Sequence, residues 1–337
     1  MTTTTSTRPS ALQRFRRSHE FWLLAVIVAL SLVLTVATDS FWTLQNLFDL
    51  LTSNAFIGIM AAGLLVVLIA GGIDISFTAT ASVAQYVALT LGIRYGLGWL
   101  ALFAVAAAVG IVCGLVNAIF ITKLRISSII VSIATLNIFY GLLIFVTGGN
   151  YITSLPKFFR DGISWFEHDD ASGVPYALNL QMLVLVLAFV VTWLLLNRTN
   201  IGRQIYALGG NKDAAQRLGF HVFRLNCLVY GYLGLVAGVA SVVQAQLAQS
   251  VTPTVLVGKE LDVLAAVVLG GATLTGGVGS VLGAILGVAL LAILQNGLVL
   301  VGVSSYWSQW FVGLTILCAV SITAWSERRR RAVKAIG

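Results

Sequence analysis

The sequence predicts an all-α integral membrane protein with about ten transmembrane helices and both termini in the cytoplasm. Of its 337 residues, 58% are hydrophobic and only 9% are charged, whereas about 25% of the residues in an average soluble domain are charged. Its apolar runs are long and continuous rather than alternating at every second residue, which favours helices over a β-barrel. Each run approaches the roughly 20 residues that a helix needs to cross a bilayer.

We predict one membrane domain at 19–326, between a cytoplasmic tail at 1–18 and a basic cytoplasmic tail at 327–337. An uncleaved first helix is favoured over a secretory signal peptide because many further spans follow it. The predicted apolar segments are 21–37, 55–71, 77–93, 97–121, 127–146, 178–196, 226–246, 260–275, 278–300 and 305–325.

The cations indicate the orientation of these segments. With the N-terminus inside, only four of the 20 Lys and Arg residues fall outside: Arg94, Lys157, Arg160 and Lys259. This bias follows the positive-inside rule for a multi-pass membrane protein. The net charge of +8 therefore reflects orientation in lipid, and no nucleic-acid partner is predicted.

Two segments are predicted to lie on the outer side. The large periplasmic loop at 147–177 carries acidic residues beside Trp165 and Phe166, and it is either a solvated connection or a seat for an external partner. The stretch "DSFWTLQNLFDLLT" has apolar residues at helical spacing, so we expect it to lie on the membrane interface.

No catalytic or metal-binding pattern is found. His19, His168 and His221 lack neighbouring ligands, the three cysteines lie in apolar runs, and no G-x-x-x-x-G-K-[ST] phosphate loop occurs. The chain is therefore predicted to be a non-enzyme without metal or cofactor, which does not hydrolyse ATP by itself.

Polar residues within the spans are the candidates for a translocation path or gate. Asp74 either caps the following helix or takes part in proton coupling, and the interpretation as a cap is favoured. The uncharged candidates either bond neighbouring helices or contact a hydroxyl-rich solute. They are Ser76, Gln85, Asn117, Asn137, Gln244, Gln295 and Asn296.

Glycines mark two further features. Gly279, Gly283 and Gly287 recur every four residues, which predicts close helix packing on one face. A faint repeat links "VVLIAGGIDIS" to "LAAVVLGGATLTGG", since each is an apolar run that ends at a glycine pair. Internal repeats are common in transporters.

The cytoplasmic loop at 197–225 is a charged island in an apolar chain. Asn211 is predicted to cap a short helix that Gly219 ends. Ala214 and Ala215 would give this helix small faces for a partner's groove, with Arg203 supplying charge at the rim. The alternative is a passive connector on the membrane surface.

Three motifs carry a resemblance to a known family. The chain resembles the permease subunits of bacterial ABC importers for ribose, xylose, arabinose, galactose and related polyols in "GGIDIS", in "ELDVLAAVVLGGATLTGGVGSVLGAILG" and in the loop. The family's coupling loop reads G-R-x-x-x-A-x-G-G-N-x-x-A-A and docks on a cytoplasmic ATPase. The matching residues here are Gly202, Arg203, Ala207, Gly209, Gly210, Asn211, Ala214 and Ala215.

The resemblance implies an ABC permease-type bundle that works with other proteins. The implied partners are an ATPase that binds ATP and Mg, a periplasmic solute-binding protein, and a second permease copy or paralogue. Phe77-Thr78 replaces the family's usual Val-Gly after "GGIDIS", which leaves the solute open. Alternatives are a permease for branched-chain amino acids or nucleosides, and a self-sufficient ion-coupled secondary transporter.

Overall fold

The computed structural model describes residues 19–169 and 175–304, together with six single positions between 307 and 317. The predicted tails and most of the predicted segment 305–325 lie outside the described residues. The elements are α1 (His19–Ala37), α2 (Leu44–Ser53), α3 (Ala55–Ile69), α4 (Phe77–Tyr95), α5 (Trp99–Lys123), α6 (Ser128–Thr147), α7 (Lys157–Asp161), β1 (Ser164–Asp169), β2 (Pro175–Asn179), α8 (Leu180–Trp193), α9 (Asn200–Gly210), α10 (Lys212–Arg217), α11 (Val222–Ala248), α12 (Lys259–Leu269) and α13 (Val281–Leu300). A π-helical turn at Leu194–Arg198 continues α8.

Six of these helices are long and apolar enough to cross a membrane, namely α1, α5, α6, α8 with its π-helical turn, α11 and α13. The pair α2 and α3, bent by 51° at its break, would supply a seventh. The predicted span 77–93 forms α4, which carries many polar side chains. The predicted span 260–275 forms α12, whose 11 residues extend only about 16 Å. The count of ten spans and the orientation of the termini therefore stay predictions.

Helix α3 lies at the centre of the bundle. Every residue of α3 except Ile57 is buried. The helix packs against α11, α8, α12 and α13, which surround it on all sides. A helix that is apolar around its whole circumference is expected at such a central position.

Helices α5 and α11 approach through glycines. A Cβ on Gly110 would lie 2.8 Å from the carbonyl carbon of Gly234, and one on Gly114 would lie 2.9 Å from that of Tyr230. Small residues allow such backbone contact between membrane helices. The 27-residue α11 is thus a rigid support for the side chains that it presents toward α3 and α5.

The loop between α6 and α8 is folded onto the bundle. Phe159 of α7 is fully buried and stacks on Trp99, with ring centroids 4.9 Å apart. Strands β1 and β2 then pair as an antiparallel hairpin with an irregularity between Trp165 and His168. Phe166 of this hairpin is 90% exposed, so the loop combines an anchored base with an exposed aromatic side chain.

Candidate functional site

Two helices of the bundle, α3 and α12, end in the same glycine turn. Gly71 and Gly271 both have positive φ, at 83° and 89°. The next amide in each case reaches back five residues, from Gly72 to Val67 O (3.0 Å) and from Ala272 to Val267 O (3.2 Å). This is the hydrogen bond of a Schellman motif, where glycine adopts the left-handed conformation without a Cβ clash. The faint sequence repeat therefore corresponds to a repeated backbone structure.

Asp74 lies in the irregular segment between α3 and α4. Its side chain is 2% exposed, and Oδ1 accepts hydrogen bonds from Ser76 N and Ser76 Oγ, both at 2.7 Å. Ser76 is the N-cap residue of α4, so Asp74 closes the turn ahead of the helix instead of capping its first turn. We predicted that Asp74 caps the following helix. The carboxylate instead bonds Ser76, so its structural contact is with the turn before α4.

Asn117 ties the Asp74 turn to α5. Its Nδ2 donates to Asp74 Oδ2 at 3.0 Å and to Ser76 Oγ at 2.7 Å. All three side chains are buried, so the carboxylate is held by charge-assisted hydrogen bonds away from water. The structure thus brings together three of the predicted path residues.

Three glycine pairs meet where the loop at 197–225 touches the bundle. We call Gly71, Gly209, Gly276 and Gly277 the glycine junction. A Cβ on Gly276 would lie 2.5 Å from Gly71 Cα and 2.9 Å from Gly209 O. A Cβ on Gly209 would overlap the carbonyl oxygen of Ile69 and lie 2.6 Å from Gly277 N. Glycine is therefore required for these backbones to touch.

Two hydrogen bonds reinforce the glycine junction. Gly277 N donates to Ile69 O at 2.9 Å, and the Tyr206 hydroxyl donates to Gly279 O at 2.8 Å. The first bond joins the end of α3 to the segment after α12, and the second joins that segment to α9. A displacement of α9 would therefore act directly on the first glycine turn and on the segment that follows the second.

The short helix α10 projects beyond the glycine junction. The Asn211 side chain accepts from Ala214 N at 2.9 Å, so the predicted N-cap is present. The helix ends at Leu218, which is 72% exposed, followed by Gly219 with φ at 84°. Ala214 is exposed next to this leucine, so α10 offers a small apolar surface.

The residues predicted for partner docking divide into two groups. Ala215 is only 1% exposed and packs inward, so the prediction that it faces a partner is wrong. Gly202 is also buried, and Ala207 and Gly209 are half-buried. The exposed members are Arg203, Gly210, Asn211, Ala214 and Gly219.

A cavity of about 1020 Å³ opens beside α10. It extends from Lys212 and Arg224 to Gly72, Ser128 and Tyr230. Tyr230 is 2% exposed and lies against Gly72, so the cavity reaches the turn that carries Asp74.

The other predicted path residues do not gather at one place. Asn296 exchanges two amide hydrogen bonds with Asn46 of α2. Bonding between neighbouring helices was one of the two roles considered for these residues. Asn137 is exposed and donates to its own helix at Ile133 O. Gln244 and Gln295 are half-buried, and Gln85 is completely buried in α4.

The predicted glycine stripe is divided between two neighbours. Gly283 packs on the backbone of Gly270, and Gly287 packs on that of Ala266. Because α13 begins at Val281, Gly279 precedes the helix and lies against the Ile69 side chain.

Sequence reasoning missed several residues of the site. Tyr230 and the glycines Gly71, Gly276 and Gly277 were not proposed as functional, although the five glycine pairs of the sequence were a visible signal. Within the part of the chain that the structure describes, no three His, Cys, Asp or Glu residues are grouped as metal ligands would be.

This protein is a helical membrane permease. That class is defined by its broken helices, the buried carboxylate turn at Asp74 and the loop helix tied to both. The chain belongs to the family described as branched-chain amino acid transport system / permease component, whose model matches residues 46–320. No solved structure matches the chain.

Three curated relatives cover most of its length. It is 34% identical to the ribose import permease protein RbsC of Escherichia coli (strain K12), over 89% of this chain and 92% of the relative. It is 36% identical to RbsC of Bacillus subtilis (strain 168), over 86% and 88%. It is 30% identical to the autoinducer 2 import system permease protein LsrC of Yersinia pestis (strain Pestoides F), over 91% and 85%.

Proposed function

We propose that the chain is the membrane permease subunit of an ABC importer for a sugar or sugar-like polyol. The observation that carries this proposal is the continuous path from the exposed helix α10 through Gly209 to the first glycine turn and to the segment after the second. Relatives named for the import of ribose and of autoinducer 2 support the choice of solute class.

The proposed mechanism is alternating access driven by a separate ATPase. The ATPase, which holds ATP and Mg, docks on α10, and its closure moves α9 against the glycine junction. The segments after α3 and α12 then shift together, because both contact Gly209 or its neighbours. A solute-binding protein delivers the solute at the outer face, where the Phe166 hairpin is exposed, and a second permease chain completes the pathway.

The proposed topology is the one that the charge pattern favours, with about ten spans in a bacterial inner membrane and both termini in the cytoplasm. The short helix α12 would then be one arm of a broken span, as is common in transporters whose cores contain interrupted helices.

An ion-coupled secondary transporter is the competing function of another class. Among the described residues, Asp74 is the only fully buried carboxylate, and Ser76 and Asn117 already supply three donors to it. A carboxylate held in this way is suited to fixing a turn. A branched-chain amino acid permease shares the family description, and competition by amino acids during uptake distinguishes it.

The energy source of uptake tests the proposal. Native cells that take up radiolabelled ribose, or another pentose or hexose of a panel, are treated with arsenate to deplete ATP or with a protonophore while ATP is maintained. We expect arsenate to abolish the uptake that depends on this chain and the protonophore to leave it largely intact. The reverse pattern would identify an ion-coupled carrier.

A further inference from the structure

One face of α4 carries a buried polar stripe. Thr78, Ser82 and Gln85 are each 0% exposed. Their spacing of four and three residues places them on the same side of the helix. In a bundle whose core is mostly apolar, three adjacent polar groups on one face require polar surroundings.

Two other helices bring polar groups to this stripe. The Glu260 carboxylate at the start of α12 accepts a hydrogen bond from Thr78 Oγ1 at 3.2 Å. The Tyr140 hydroxyl of α6 lies beside the hydroxyls of Thr78 and Ser82, with the Glu260 charge nearby. We call Thr78, Ser82, Gln85, Tyr140 and Glu260 the polar cluster. It joins the helix after the first glycine turn to the helix before the second.

The polar cluster is incompletely hydrogen-bonded. Within the described residues, five buried side-chain atoms lack a hydrogen-bond partner, and three of them are Gln85 Oε1, Gln85 Nε2 and the Tyr140 hydroxyl. The other two are Thr38 Oγ1 and Asn117 Oδ1, whereas both Gln85 side-chain polar atoms are unpaired. Asn46 and Asn226, by contrast, bond Asn296 and Thr122. Leaving a buried amide unpaired destabilises a fold, so a retained one calls for a polar occupant.

We propose that the polar cluster is the solute-contacting site of the permease. This inference rests on the proposed function and assigns residues to it. The Gln85 amide both donates and accepts, the Tyr140 hydroxyl does the same, and the Glu260 carboxylate accepts from solute hydroxyls. None of the five side chains is a cation that would hold an anionic or zwitterionic solute. The site therefore fits a neutral solute with several hydroxyl groups.

The test uses the full chain with its ATPase and binding protein, reconstituted in liposomes. The variants Gln85→Leu and Tyr140→Phe remove unpaired polar atoms and keep side-chain volume. Tyr95→Phe is the matched control, because it removes a hydroxyl from the same helix as Gln85, at a side chain that is 65% exposed. Uptake of labelled ribose, or of whichever sugar of the panel the wild type takes up, is measured beside ATP hydrolysis and the thermal midpoint.

We expect each cluster variant to lower the maximal uptake rate by about tenfold, as the loss of a hydrogen bond to the solute should. ATP hydrolysis stimulated by the binding protein, and the thermal midpoint, are expected to match those of the wild type or exceed them. Tyr95→Phe is expected to transport normally. Wild-type uptake rates in both cluster variants would overturn the proposal. A lowered thermal midpoint with joint loss of uptake and hydrolysis would also overturn it, since that marks a structural amide. Absence of ATP-driven uptake by the wild type would instead refute the proposed function on which the inference rests.

Discussion

Replacing Gly209 by alanine is expected to reduce solute uptake roughly tenfold to a hundredfold while the ATPase stays bound. The added Cβ would overlap the carbonyl oxygen of Ile69 and lie 2.6 Å from Gly277 N. Both atoms belong to backbone, so they can move away only if α9 separates from the glycine junction. Overpacking of this kind costs about 1–3 kcal/mol, which corresponds to the expected loss of uptake of roughly tenfold to a hundredfold. The docking helix α10 lies beyond the junction and keeps its exposed surface.

The neighbouring glycine supplies the control for this experiment. A Cβ on Gly210 meets nothing within 4 Å among the described residues, so Gly210→Ala makes the same chemical change in open space. Uptake and ATP hydrolysis are measured on reconstituted complexes of both variants. Equal uptake by Gly209→Ala and Gly210→Ala would show that the glycine junction does not transmit movement.

Ala214→Arg is expected to weaken docking of the ATPase about a hundredfold. Ala214 is exposed on α10 beside the exposed Leu218, so the long cationic side chain would stand in the proposed contact without a partner. An uncompensated charge in a packed interface costs about 3 kcal/mol or more. The chain should still insert and fold, because α10 contributes only Ala215 to the buried interior. The measurement is the amount of ATPase that co-purifies with the tagged variant.

Ala248→Arg is the matched control. Ala248 is likewise exposed, but it ends α11 at the opposite end from the cytoplasmic loop. The same substitution there should leave the amount of bound ATPase unchanged. If both variants retained the ATPase equally, α10 would not be the docking site.

Local rules predicted the helix in the cytoplasmic loop accurately. Asn211 and Gly219 mark its ends because a cap depends on hydrogen bonds within three or four residues of the chain. The glycine turn after α3 was visible for the same reason, as an apolar run that ends at Gly71. Features whose partners lie close in sequence can be predicted from sequence.

Features whose partners are distant could not be predicted in this way. Gly209 was assigned to docking because nothing in its neighbourhood shows that its backbone touches Ile69. Ala214 and Ala215 looked equivalent until packing placed one outside and the other inside. Gln85 was proposed for the path, but its neighbours Thr78 and Ser82 became part of the proposed site only when three helices were seen to meet.

The central claim is that a separate ATPase drives this permease through its cytoplasmic loop. The most direct measurement is to purify the tagged wild-type chain gently from its native membrane, identify what accompanies it, and assay the preparation for ATP hydrolysis. We expect a stoichiometric nucleotide-hydrolysing partner whose activity responds to the solute-binding protein. A chain that transports solute after purification alone, with no associated ATP hydrolysis, would show that no separate ATPase drives the permease. Asp74 would then be the first residue to test for ion coupling.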